Sequence, residues 1–176
     1  MSRALTCLAS LAVVLTVSAA PAAAGTYVSL GFGGTPALHG EMTESLAGDT
    51  AGANSRLAVG VGAGEVALEG SLSRFALGMG DATVAGAHLR IGLPFAGGFG
   101  AYTRFGFERL WLGEESDNLG GDSATGIALG LGLEYRMRLP TLGQAGAWME
   151  VSQDRFTTEV GTGRARMWTL GLLVGL

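Results

Sequence analysis

The chain contains no lysine: all 11 of its basic residues are arginine. It has one cysteine, Cys7, and four prolines among 176 residues. Charged side chains make up 15%, below the ~25% usual in a soluble domain. Each scarcity excludes something. A single cysteine permits no intrachain disulfide, and with none after residue 24 the rest of the chain has no cysteine to bind a metal. Four prolines cannot make a proline-rich linker. Set against 15 acids, the arginines leave a net charge of −4, the wrong sign for a nucleic-acid partner. Beyond residue 24 no uncharged apolar run approaches the ~20 residues a membrane-spanning helix needs. The low charge is not a mark of disorder, because 48% of the chain is apolar. Glycine is abundant instead, with 31 residues, none of them in the first 24. They follow no triplet period, which excludes a collagen helix.

The first 24 residues have the layout of a secretory signal peptide. Met1-Ser2-Arg3 is a short positive start, Ala4 to Ala20 an apolar core, and Ala22-Ala23-Ala24 a small-residue cleavage site before Gly25. Cys7 falls inside this segment with Ala4 three residues before it, where a lipoprotein signal carries Leu. Cleavage without lipidation is therefore expected, with export toward the periplasm. Residues 25–176 form one further unit.

That unit alternates with period two and shows no long helical period. Eight strands are predicted: Thr26–Gly34, Arg56–Ala63, Val66–Arg74, Thr83–Leu93, Phe99–Leu110, Gly126–Met137, Ala147–Phe156 and Arg166–Leu176. One face of each is apolar, as in Val28/Leu30/Phe32, Ile127/Leu129/Leu131/Leu133 and Trp168/Leu170/Leu172/Val174/Leu176. The connections alternate too. Residues 35–55, 75–82, 111–125 and 157–165 are long or polar, whereas 64–65, 94–98 and 138–146 are shorter or carry Pro and Gly. Long loops at one end and short turns at the other are the layout of a transmembrane barrel.

Alternation alone does not say which face is inside, since a soluble lipocalin-like barrel alternates as well. Side-chain size decides. The face opposite the apolar one carries Gly31, Gly60, Gly86, Gly100, Gly106, Gly130, Gly132 and Gly171, mixed with a few long charged residues. An eight-stranded barrel has an interior just wide enough for side chains to fill, which suits such a mixture. A water-facing surface built of glycine would do nothing for solubility. The Leu/Val/Phe face is thus assigned to lipid. Closure satisfies every backbone group, as a bilayer demands. Aromatics divide between the two ends, with Phe32, Phe107, Trp111, Phe156 and Trp168 toward the long loops and Tyr27, Phe95, Phe99 and Tyr135 toward the short turns. Two such girdles flank the apolar band of outer-membrane barrels.

The signal segment, the eight strands and the loop pattern together resemble the small OmpA/OmpX-type outer-membrane barrels. The resemblance implies an all-β, eight-stranded antiparallel up-and-down barrel in the outer membrane of a Gram-negative envelope, a porin-like architecture. It also implies a C-terminal insertion signal read by the barrel assembly machinery. Here that signal is Trp168, Leu170, Leu172, Val174 and Leu176, with Leu176 in place of the usual terminal aromatic.

The inward parity collects Arg56, Glu69, His88, Arg90, Arg104, Glu108, Glu134, Arg136, Glu150 and Asp154. So nearly balanced a set is expected to pair with itself, because an unpaired charge in a narrow interior is costly. Folding the hairpins about their loop centres places Glu69 opposite His88, Arg104 opposite Glu134, and His88 beside Arg104 across the 94–98 turn. These four define an expected lumen belt.

No catalytic set emerges. The lipid A deacylase family places Ser two residues after a His, whereas His88 leads to Arg90 and His39 to Glu41. The outer-membrane palmitoyl transferases begin with an amphipathic helix, whereas Gly25 leads into a strand. Gly60-Val-Gly62-Ala-Gly64 lacks the full dinucleotide fingerprint and no helix follows it. Glu114, Glu115, Asp117 and Asp122 make the third long loop acidic, but their spacing misses the EF-hand pattern. No cofactor and no metal are expected. Arg74, Arg109, Arg155 and Arg166 share the outward parity at the long-loop ends and are candidates for lipopolysaccharide phosphates, which arginine meets with paired charge-assisted hydrogen bonds. The expected role is non-enzymatic: a plugged, monomeric barrel serving envelope structure or surface-loop display, in contact with outer-membrane lipid. A lipid-modifying enzyme and a narrow pore are the alternatives.

Overall fold

Successive side chains of a strand point to opposite faces, so a period-two sequence can line a wall with lipid on one side and a filled lumen on the other. The computed structural model, which describes residues 25–34, 36–40, 52–77, 80–112, 123–140, 143–157 and 161–175, has this form. The signal segment 1–24, the acidic positions Glu114, Glu115, Asp117 and Asp122, and Leu176 lie outside the described residues.

The strands are β1 (Gly25–Gly33), β2 (Ala37–Gly40), β3 (Asn54–Ala63), β4 (Val66–Leu77), β5 (Gly80–Pro94), β6 (Phe99–Leu112), β7 (Ser123–Leu139), β8 (Gly143–Thr157) and β9 (Thr162–Gly175). From β3 to β9 each pairs antiparallel with the next. β1 pairs with β3 on one edge and β9 on the other, which closes the sheet. β2 continues the line of β1 along β9 after an interruption containing Pro36, whose ring nitrogen has no hydrogen to donate to a ladder. The result is a closed antiparallel barrel with eight staves.

Strands reach further than the sequence pattern indicated. Residues 75–82, predicted as a long loop, are mostly strand: β4 runs to Leu77 and β5 starts at Gly80, with those two residues in register. The pairing of Phe75 with Ala82 and of Ala76 with Asp81 carries the ladder into the segment that looked like a loop. β9 likewise begins four residues before Arg166. At the opposite end the Gly64-Glu65 turn joins β3 to β4, with Gly64 at a φ of 63° that a two-residue hairpin loop requires.

The outer wall is apolar. Phe107 is 77% exposed, Leu172 67% and Leu68 64%. A soluble monomer does not present a continuous apolar belt of this kind. Inside, glycine and bulky residues interlock. A Cβ added to Gly60 would fall 2.2 Å from the Tyr27 ring, one on Gly132 2.3 Å from Tyr102, and one on Gly171 2.4 Å from Trp148. Two residues expected in the outer girdles turn inward instead: Tyr27 and Phe156 are buried in the lumen. Parity is the reason. Tyr27 shares the face of Ser29 and Gly31, and Phe156 that of Asp154 and Glu150. Phe95, Phe99, Phe32 and Trp168 remain exposed outside.

Candidate functional site

The lumen is stacked in layers. At the long-loop end an apolar plug packs Phe75, Val84, Leu110, Phe156 and Met167 with small Ala82, Ala124 and Ala165. These residues sit where β4 to β9 leave the charged part of the wall.

Below the plug lies the charge belt, centred on Glu150. Its carboxylate accepts from Arg56 Nη1 at 2.6 Å and from Arg104 Nη2 at 2.9 Å, bringing β3, β6 and β8 together across the barrel. Arg104 also approaches Glu108 at 3.8 Å, and Glu108 Oε1 lies 3.0 Å from His88 Nε2. The Arg56 guanidinium rests on the Trp148 ring, 4.5 Å from its centroid. Every one of these side chains is buried. Ion pairs taken out of water hold together only when geometry and hydrogen bonding compensate desolvation, and the convergence of two arginines on one carboxylate supplies that geometry.

Toward the short turns comes a second, separate layer. Glu134 Oε2 accepts from Arg90 Nη2 at 2.6 Å and from Arg136 Nε at 2.8 Å. Arg90 stacks on Tyr102 at 3.8 Å and reaches Tyr27 at 5.7 Å. The Tyr27 hydroxyl donates to Glu69 Oε2 at 2.9 Å. Beyond this floor the lumen opens into a vestibule of about 890 Å³ whose mouth lies among the short turns.

Of the four belt residues expected from sequence, Glu69 does lie opposite His88. The expected pairing of Arg104 with Glu134 does not form: Arg104 is in register with Gly130, and Glu134 with Gly100. Nor is His88 in register with Arg104; it faces Gly106, while Arg90 faces Arg104. Folding about loop centres misplaced both registers: the β6–β7 ladder pairs Trp111 with Ser123, which sets Arg104 four residues short of Glu134, and the 94–98 turn is asymmetric, with the Phe95 N–H donating to Phe99 O. Arg104 and His88 still meet, through Glu108, while Glu134 belongs to the lower layer. The inward parity of Glu150 was legible in sequence, but not its central position. Tyr102 and Trp148 went unnoticed as lumen residues, although each alternates with charged neighbours on the inward parity.

The four outward arginines differ from one another. Arg74 is paired with Asp81. Arg109 donates to Ser123 Oγ at 3.2 Å and lies over Trp111. Arg166 donates to Gln153 Oε1 at 3.0 Å. Arg155 faces another arginine, Arg164, directly across β8–β9, and Arg164 in turn faces His39 on β2. Arg164 escaped the sequence reading because it fell within a segment taken for a loop. Like charges directly opposite on adjacent strands are unfavourable on their own. Trp168, Leu170, Leu172 and Val174 form the outward face of β9, all exposed.

Comparison with known proteins places the fold. No protein-family model matches the chain, and no curated protein matches it. Among solved structures, the neisserial surface protein NspA aligns with a TM-score of 0.63 at 14% identity, over 85% of this chain and 96% of that one. The N-terminal β-barrel domain of Pseudomonas aeruginosa OprF aligns with a TM-score of 0.56 at 16% identity, over 86% and 97%. The attachment invasion locus protein Ail of Yersinia pestis, solved in complex with the heparin analogue sucrose octasulfate, aligns with a TM-score of 0.51 at 14% identity, over 87% and 99%. The chain therefore has the fold of the small outer-membrane barrels, along its whole barrel length.

Proposed function

We propose that this chain is a non-enzymatic outer-membrane barrel with a closed lumen, serving envelope structure or the display of its surface loops. The observation that carries the reading is the inversion of polarity across one wall. Leucine, valine and phenylalanine face out, while ten ionisable side chains face in and most of them are joined in ion pairs. The outer face matches acyl chains, and the buried side chains of the plug and belt occupy the lumen. The solved structures of similar fold are outer-membrane proteins, which supports the same location. Signal cleavage, passage through the periplasm and insertion by the barrel assembly machinery through β9 complete this reading, with the monomer as the working form.

Planar-bilayer recording tests the closed lumen. The wild type is expected to give no steady current, and a large stable conductance overturns the closed state in favour of a pore. Lipopolysaccharide is the proposed lipid partner, held where Arg155, Arg164, Arg166 and His39 gather on β8, β9 and β2 with no acid on their outward face among the described residues. A phosphate there would relieve the repulsion of the facing arginines. Arg155→Gln with Arg164→Gln is expected to lower lipopolysaccharide co-purification, whereas Arg74→Gln, whose native charge Asp81 already compensates, leaves it unchanged. Equal retention in both variants removes the site.

A further inference from the structure

The vestibule at the short-turn end differs in construction from the rest of the lumen. Glycines in the belt are filled by neighbouring rings, as Gly60 is by Tyr27 and Gly132 by Tyr102. At the vestibule Gly62 and Gly98 are closed by neighbouring backbone, but Gly25 and Gly92 face open space. A Cβ on Gly25 would meet nothing closer than 4.0 Å, and one on Gly92 nothing closer than 3.5 Å. Here the missing side chains leave a chamber, and the charge facing that chamber is unbalanced. Arg90 and Arg136 both spend a hydrogen bond on the same oxygen, Glu134 Oε2, and the only other acid lining the chamber among the described residues is Glu65 in the β3–β4 turn, so with Arg138 three arginines face two carboxylates. Arg138, two residues along on the same inward parity, also lines the chamber and makes no ion pair among the described residues. The floor is rigid, because Arg90 is fixed between Tyr102 and Tyr27 and Arg136 lies 5.8 Å from the Tyr27 ring.

We infer that this vestibule is a binding site for a small polyanionic solute, one bearing two or more phosphate or carboxylate groups, held by Arg136 and Arg138. The guanidinium groups offer forked donors to either oxyanion, and the surplus positive charge lines a recess open at the short-turn mouth. The solute enters and leaves by the short-turn mouth alone. The other end of the lumen is closed by the Glu150 belt and the Phe156 plug, whose side chains are buried. The site is independent of the lipid-facing arginines, which lie on the other face and at the other end.

The test is calorimetric titration of the whole chain in detergent micelles at low salt, with inorganic pyrophosphate and with citrate as probes. Saturable binding of one or both is expected, weakening as salt is added. The double variant Arg136→Gln, Arg138→Gln should weaken it at least about tenfold, the scale of one lost charge-assisted hydrogen bond. The variant Arg155→Gln, Arg164→Gln should leave it unchanged. If removing Arg136 disturbs the fold, Arg138→Gln alone serves, since that side chain is exposed and unpaired. Gly92→Cys, in a chain whose only other cysteine is Cys7, gives a second readout: pyrophosphate should slow the reaction of the new thiol with a charged maleimide. Absence of saturable binding by both probes overturns the site, as does binding that survives the vestibule substitutions or is lost with Arg155 and Arg164.

Discussion

The two halves of the lumen use the same residue types for opposite ends. Toward the long loops, glycine on one strand is the socket for a ring or a carboxylate on another: Gly126 receives Phe156, Gly130 receives Glu150, and Gly86 receives Glu108. Toward the short turns, Gly25, Gly64 and Gly92 receive nothing. Arginine divides the same way. In the belt, two arginines and one glutamate lock three strands together; at the vestibule floor, the same two-to-one ratio leaves charge facing an open chamber. The lesson is that a glycine-rich barrel wall has no fixed meaning. Its effect depends on whether a long side chain of the facing strand lies at the same depth.

The comparison can be broken most severely at Glu150. Glu150→Gln leaves Arg56 and Arg104 buried without their carboxylate and should destabilise the barrel by ~3–5 kcal/mol. Urea unfolding in detergent, followed by the heat-dependent shift in gel mobility, measures this. An unchanged midpoint would mean that the belt does not hold the barrel. Phe156→Ala removes the largest contribution to the plug and should cost about 3 kcal/mol by the same assay, with partial collapse of Phe75 and Leu110 limiting the loss. A midpoint within error of wild type would reassign Phe156 to the outer girdle where sequence alone had put it.

Glycine substitutions sharpen the contrast at lower cost. A Cβ at Gly106 would lie 2.1 Å from the Ala87 carbonyl oxygen, a backbone atom that moves only if β5 and β6 part. Gly106→Ala should therefore cost ~1–3 kcal/mol, the range of overpacking. At the vestibule, Gly92→Ala should fall within ~0.5 kcal/mol of wild type, or gain slightly from a stiffer unfolded chain. Equal losses for the two variants would show that the halves are packed alike.

The sequence conveyed the fold through one strong signal, alternation with leucine on one parity and glycine on the other. It also conveyed the inward parity of all ten ionisable residues, since parity survives an error in strand length. Depth did not survive. Glu134 was set beside Arg104 although the residue facing Arg104 is Gly130, four residues away, and only the actual strand register could correct that. An arginine two residues before Arg166 was lost the same way, by starting the last strand too late.

What the sequence by itself determined is the two-sidedness of the wall, because a period of two converts residue identity directly into inside or outside. It determined closure as well, since a wall with one lipid face cannot leave an edge unpaired. What only the tertiary structure decided is which inward residues share a level. That depends on the stagger between neighbouring strands, which accumulates around a tilted barrel and is set by all the turns together. Hence Glu150 became the hub of the belt, Glu134 the floor of a chamber, and two arginines on different strands came face to face.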